Sequence, residues 1–282
     1  MDGQNPLIIN LAPTGMIPTR EMSPYVPIQP DEVIADVLAC ASVGITLVHI
    51  HARETDGRPT YKKEIYARIV SGIREKRPDL IICVSCSGRD FGELEKRADV
   101  LNLTGDLCPD MASLTLSSLN FPKQASVNEP SMVYALAQRM LDRGIRPEFE
   151  VFDLGMANYA RVLVQKLELE QPIYANVILG NIATAQADLL SIATLITMLP
   201  EKAIWTLGGI GFTQAQVTAI GAIMAPGVRI GLEDNLWADA QRTNLATNRS
   251  MVERIQGLAQ TMERPIMTAS ELRRVLGLRS WQ

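Results

Sequence analysis

The sequence predicts an α/β fold, a (β/α)8 TIM barrel with an extra C-terminal helix, on three observations. Eight apolar runs of strand length recur along the 282 residues, helical segments alternate with them, and no linker, low-complexity stretch or internal repeat breaks the alternation. Near-continuous apolar strands separated by helices imply a parallel sheet covered by those helices. Eight such repeats are the number that closes a barrel. A doubly wound open sheet is the alternative, but it would carry a glycine fingerprint after the first strand, and "LAPTGMIPTR" supplies none. The chain, residues 1–282, is therefore expected to form a single barrel domain.

The elements follow in order. "LIINLAP" (7–13) is the first strand, and the proline-rich "TGMIPTREMSPYVPIQP" after it is too long for a simple connection, so it is expected to lie over the barrel mouth. "PDEVIADVLACASVG" reads as a helix with Val33, Val37 and Leu38 on its inner side. The second strand, "ITLVHIHAR" (45–53), leads to "KKEIYARIVSGIREKRP", where Ile65, Ile69, Val70 and Ile73 make a helical stripe. "LIICVSCS" (80–87) is followed by a weak helix in "GRDFGELEKRADVLNL". The fourth to sixth strands are "DMASLTLS" (110–117), "EFEVFDLG" (148–155) and "IYANVILG" (173–180), and each precedes a helical segment. "AIWTLGGI" (203–210) and "VRIGLED" (228–234) complete the eight, the last followed by the helix "NRSMVERIQGLAQTM". The closing "TASELRRVLGLRSWQ" is the extra helix, with Thr268 or Ser270 as N-cap and a neighbouring subunit as one surface for it to pack on.

At 31.0 kDa and 47% hydrophobic residues, the chain can bury a full core. A net charge of -4 with scattered positive residues leaves no basic footprint for nucleic acid, so a small molecule is the expected partner. The start lacks a basic leader region, and no stretch reaches the roughly 18 apolar residues of a membrane span, which predicts a soluble cytoplasmic protein. Cys40, Cys83, Cys86 and Cys108 need not be disulfide staples in a chain of this size. Cys83 and Cys86 form a CxxC, but three positions apart on a strand they point to opposite faces, and no second CxxC completes a zinc site.

Both histidines of the chain, His49 and His51, fall in the second strand two positions apart, which puts them on one face with Leu47 and Arg53. They lie near the C-terminal end of the strand, where barrel enzymes assemble their sites. In a closed barrel the second and eighth strands both flank the first, so Glu233 and Asp234 at the end of "VRIGLED" face the histidines across a short gap. Two imidazoles and one carboxylate with an open position suit Zn²⁺, and the same set accommodates Fe²⁺, Mn²⁺ or Co²⁺. A pair of buried, hydrogen-bonded core histidines is the plainer alternative. Ser85, Ser87, Ser113, Thr115, Glu150 and Asp153 are expected at the same rim, although strand hydroxyls often serve only nearby backbone. "LGGIGF" (207–212) is either a phosphate site or a place of close backbone packing.

"LAPTGMIPT", "HIHARETDGRPT", "PEFEVFDLGM", "VRIGLEDNL" and "TNLATNRSMVERI", in this order, resemble the β-keto acid cleavage enzyme family, and the likeness covers nearly the whole chain. The resemblance implies a zinc-dependent acyltransferase that converts a β-keto acid and acetyl-CoA into acetoacetate and a new acyl-CoA. It implies Zn²⁺ as cofactor, acetyl-CoA as co-substrate and a homo-oligomer, a tetramer, as the assembly. By the same likeness His49, His51 and Glu233 match the metal ligands, and Asp234, Arg229 and Glu150 match the catalytic groups. Ser85 and Ser113 match hydroxyls that hold the substrate carboxylate, with Thr115 and Gly88 beside them. A metal-dependent hydrolase or aldolase working without CoA is the competing activity.

Two departures bear on substrate. Ile17 stands where a family member that accepts an amine-bearing side chain has an acid, and Met16, Ile17 and Met22 are expected to form an apolar wall favouring neutral or apolar substrates. A "STGG"-like turn becomes "SCSGRD", which brings in Arg89 either to bind an anionic group of substrate or coenzyme A, or simply to be solvated.

Overall fold

The computed structural model describes residues 5–280, in which eight parallel strands close into a barrel in chain order. They are β1 (Ile8–Leu11), β2 (Leu47–Ile50), β3 (Ile81–Val84), β4 (Met111–Thr115), β5 (Arg146–Val151), β6 (Tyr174–Leu179), β7 (Ile204–Gly209) and β8 (Gly227–Ile230). The ring closes where β1 meets β8, with Asn10 beside Arg229, and β1 meets β2, with Asn10 beside Leu47. Helices α1 (Pro30–Val43), α2 (Lys63–Lys76), α3 (Leu94–Arg97), α4 (Pro130–Asp142), α5 (Leu154–Lys166), α6 (Leu189–Met198), α7 (Gln214–Met224) and α8 (Asn248–Thr261) follow strands one to eight in turn. The weak third helix is a single turn continued by the 3₁₀ segment Asp99–Asn102.

Several strands are shorter than the apolar runs that announce them. The second ends at Ile50, after which Ala52–Arg53 pairs with Pro59–Thr60 in a small hairpin. The eighth ends at Ile230, because Gly231 has φ 144° and a Cβ there would lie 2.1 Å from the Ala12 carbonyl oxygen. Only glycine allows this approach. Glu233 and Asp234 therefore lie in a turn pinned to the end of β1 by the Glu233 N–H to Ala12 carbonyl bond of 3.1 Å, and not on a strand.

Inside the ring, period-two alternation stacks side chains in layers. The lowest is apolar, with Ile8, Leu47, Ile81, Cys83, Met111 and Tyr174, and α9 (Ala269–Leu276) plugs this end of the barrel with Ala269, Leu272 and Leu276. The extra helix thus packs beneath its own barrel. Thr268 caps it through a capping box with Glu271, and Arg273 fastens it by a 2.7 Å bond to Asp110 and a 2.9 Å bond to the Leu80 carbonyl. Cys83 and Cys86 do point to opposite faces, the first into the barrel and the second into the layer between strands and helices.

Asn248 at the start of α8 ties the outside of the barrel together. Its side chain bonds the Pro13 carbonyl, the Leu232 N–H and the Asp36 carboxyl of α1 at 3.0, 2.8 and 2.6 Å. Burial pushes the Asp36 pKa up to about 6, against the Asn248 bond that lowers it. An acid whose pKa is higher folded than unfolded costs stability as pH climbs from the unfolded value of about 4 through about 6. Asp36→Asn should therefore stabilise the fold by about 3 kcal/mol at pH 7.5, with the gain vanishing as pH falls towards 4. Urea unfolding at both pH values checks this, and a gain that does not change with pH would refute it.

Candidate active site

Above the apolar floor lies a fully buried polar layer. Asn10 donates from Nδ2 to Glu148 Oε1 at 2.8 Å and to Asn176 Oδ1 at 3.1 Å, and Thr206 donates to the same Asn176 oxygen. Glu148 Oε2 in turn sits 2.6 Å from His49 Nδ1 and accepts a 3.1 Å bond from Cys83 Sγ. Burial alone would raise the Glu148 pKa, but the His49 imidazole and the Arg229 charge hold it down at about 2. An ionised Glu148 keeps the proton on His49 Nδ1 and leaves Nε2 to face the mouth.

His49 Nε2 lies 3.2 Å from His51 Nε2, and Glu233 joins them with its oxygens 3.4 Å from His51 Nε2 and 3.9 Å from His49 Nε2. The glycines set this convergence. Gly231 turns the chain after β8, and Gly15, at φ 64°, leaves space that a Cβ would close to 2.5 Å from Glu233 Cγ. The Arg53 guanidinium is spent on backbone, tying the first loop, through the carbonyls of Gly15 and Pro18, to the hairpin after β2, through that of Gly57.

Arg229, fully buried, is the hub of the acids. Its Nη2 is 2.7 Å from Glu233 Oε1, its Nε is 2.9 Å from Asp234 Oδ2, and its Nη1 is 3.9 Å from Glu150 Oε1. Gly208 on β7 makes room for it, since a Cβ there would touch the Arg229 Cβ at 3.2 Å. The two carboxylates in its grip are driven apart. Against burial, Arg229 and both histidines hold Glu233 far below the usual carboxylate range. Burial and the Glu233 charge raise Asp234 despite the guanidinium. Glu233 Oε2 remains buried without a hydrogen-bond partner, beside two imidazole nitrogens.

The other rim residues divide. Ser85 Oγ accepts from the Ser87 N–H and Ser113 Oγ from the Cys86 N–H, both at 3.2 Å, which leaves each hydroxyl proton free to donate. Thr115 spends its hydroxyl on Glu150 at 2.5 Å, so it positions that acid. Gly88 sits where a Cβ would meet Arg97 Nη1 at 2.5 Å and the Val127 carbonyl oxygen at 2.9 Å. Asp153 is the N-cap of α5, accepting from the Met156 N–H, and is not a site acid. Two of the three "LGGIGF" glycines serve close packing, Gly208 against Arg229 and Gly209 against the start of α7, while Gly211 stands in open space at φ 62°.

A cleft beside His51 is lined by Met16, Ser85, Ser87, Tyr61, Phe91 and Arg97, among others. Of the expected apolar wall only Met16 lines it; Ile17 and Met22 are about half exposed, at 48% and 47%. Arg89 is not simply solvated. Its guanidinium lies 3.6 Å from the centroid of the Phe121 ring, and its Nε is buried. Among the described residues, no helix is long and apolar enough to cross a membrane.

Known proteins share this chain's length and pattern. A 3-keto-5-aminohexanoate cleavage enzyme of Fusobacterium nucleatum subsp. nucleatum is 34% identical over 275 residues, covering 97% of this chain and 98% of the relative. A 3-oxoadipate:acetyl-CoA acetyltransferase of Cupriavidus necator is 34% identical over 281 residues, with 98% and 96% covered. The solved ternary complex of ObcA with C4-CoA adduct and oxalate superposes with a TM-score of 0.80 over 91% of this chain and 68% of that one, and at 20% identity it speaks to the fold. The family model of the beta-keto acid cleavage enzymes matches residues 6–278, and with relatives at this identity over nearly their full length, the chain belongs to that family.

Proposed function

We propose that this protein is a zinc-dependent acyltransferase that exchanges acyl groups between a β-keto acid and acetyl-CoA. The β-keto acid R–CO–CH₂–COO⁻ and acetyl-CoA give R–CO–SCoA and acetoacetate, so every atom is conserved and no water is consumed. The observation that carries the reading is the position of Asp234, a buried carboxylate with a raised pKa held by Arg229 next to an open cluster of donors. The relatives named for transfer to acetyl-CoA support it.

His49, His51 and Glu233 would hold the metal. The fit rests on the orphaned Glu233 Oε2 and on donors 3.2 to 3.9 Å apart, close to the roughly 3.4 Å edge of a tetrahedron with ~2.1 Å ligand bonds. Bound there, Zn²⁺ supplies Lewis-acid polarisation of the substrate ketone. Ser85 and Ser113 donate their free hydroxyl protons to the carboxylate, with Gly88 in the loop beside them. Asp234 takes the proton from the carbon between ketone and carboxylate, and Arg229 holds the acid in place through both states. That carbon then attacks the thioester and releases the thiol, which returns to the R-bearing carbonyl. Cleavage leaves acetoacetate once the proton comes back. Glu150, held by Thr115, is the remaining acid within reach.

The assembly in this reading is a cytoplasmic homo-oligomer, a tetramer. Exposed Leu189 and Leu190 of α6, Ile223 and Met224 of α7, and Phe212 after β7 are apolar surface that a subunit interface would cover. Incubating the protein with a panel of β-keto acids, with and without acetyl-CoA, tests the chemistry. Acetoacetate should appear only when both are present; turnover without CoA would establish the hydrolase or aldolase instead. Among side chains, neutral β-keto acids should exceed 3-keto-5-aminohexanoate in kcat/KM by about tenfold, since Met16 lines the cleft and would meet an ammonium with apolar surface. A wild-type preference for the amine would overturn this ranking.

A further inference from the structure

We propose that Arg89 is an anion seat selecting β-keto acids that carry a second carboxylate at the far end of their side chain. This rests on the reaction proposed above and adds the substrate class.

The cation is built in advance. Phe121, on which it stacks, is itself packed edge-on against Phe152, with ring centroids 6.1 Å apart. Ser87 Oγ accepts the Arg89 N–H at 3.3 Å, and Gln124 reaches across from the hairpin of Leu119–Asn120 and Ala125–Ser126 to Asp90 Oδ1 at 3.0 Å. Gly88 lets the loop press against Arg97 and Val127. A guanidinium fixed in this way loses little freedom when it binds.

It is also incomplete. Its Nε is buried with no hydrogen-bond partner, and burial works against its charge, while Glu233, Glu150, Asp90 and Asp234 favour it through space. The three site acids are already engaged, Glu233 and Asp234 by Arg229 and Glu150 by Thr115. A partly desolvated guanidinium with an idle N–H gains most from an incoming carboxylate or phosphate.

Two parts of the reactants carry such a group. The phosphates of coenzyme A are a pantetheine arm away from the thioester, whereas Arg89 is bonded through its backbone N–H to Ser87, which lines the cleft beside His51. The common carboxylate of every β-keto acid has the free hydroxyls of Ser85 and Ser113. The remaining anion is a distal carboxylate on the substrate.

The test compares 3-oxohexanedioate with 3-oxohexanoate, which differ in the terminal carboxylate. Wild-type kcat/KM should favour the dianion, and Arg89→Gln should lower it on the dianion by about 100-fold, mainly through KM, while changing the monoanion less than about threefold. The KM for acetyl-CoA should not move, and Arg89→Lys should restore part of the preference. Equal loss on both compounds, a raised KM for acetyl-CoA, or a wild-type preference for the monoanion would each overturn the inference. Calorimetric binding of the two compounds without acetyl-CoA reads the same preference. If neither yields acetoacetate, the reaction fails as a reading and the binding ratio still decides the role of Arg89.

Discussion

Asp234→Asn should lower kcat for acetoacetate formation by roughly 1,000-fold while bound zinc stays near one per chain. The amide matches the carboxylate in shape and can still accept from Arg229, which also keeps its bond to Glu233. What it cannot do is take a proton. The raised pKa of Asp234, set by burial and by the neighbouring Glu233 charge, moves it towards the range in which a base works well at neutral pH. Glu233→Gln should behave in the opposite sense, losing metal first and activity as a result. Metal analysis beside single-turnover kinetics separates them. Equal metal loss in both variants would mean the two carboxylates share the ion or have exchanged roles.

The second large effect concerns the imidazoles. His49→Ala combined with His51→Ala should take bound zinc from about one per chain to near zero, since one carboxylate is a poor site by itself. The single variants should differ in stability. His51 Nε2 meets only His49 and Glu233 in the bonds around it, so His51→Ala should leave the thermal midpoint within a few degrees. His49 is the 2.6 Å partner of an ionised, fully buried Glu148, and removing it strands that charge between Asn10 and Cys83. Breaking one side of a buried pair costs about 3 kcal/mol, so His49→Ala should melt markedly lower. Pairing it with Glu148→Gln should restore much of the loss. Full zinc occupancy in the double alanine variant would sink the ligand assignment.

The barrel was legible because eight apolar runs alternating with helices leave few other ways to cover a parallel sheet. Period-two alternation and the adjacency of β2, β1 and β8 likewise bring His49, His51 and Arg229 together, whereas Glu233 and Asp234 reach them from a turn that Gly231 sets and Gly15 makes room for. Glu148 was missed, although a signal for it existed: "EFE" places it two positions before Glu150 on the inner face, as His49 stands to His51. A carboxylate at full burial looks improbable until its partners are known, and those lie on β1, β2 and β3. For Arg89 the sequence leaves anion binding and simple solvation both open, because the hairpin that brings Phe121 against it comes from some thirty residues further along. The Ile17 side chain is exposed and Asp153 caps a helix for one reason: loop geometry, which alternation does not reach.

The closure of the ring also has a consequence in time. The donor cluster draws two members from near residue 50 and the third from residue 233, and the turn carrying Glu233 is held by Ala12 across the β1–β8 seam. The plug beneath the barrel is the last helix of the chain. Contacts this distant along the sequence form late, after the loop between them has been closed. A ribosome that has made only the first half of this protein has produced both histidines and no pocket to bring them together with Glu233, so the nascent chain passes through the cell's metal pool without the three-donor cluster. The three candidate donors thus come together only after residue 233 has been made.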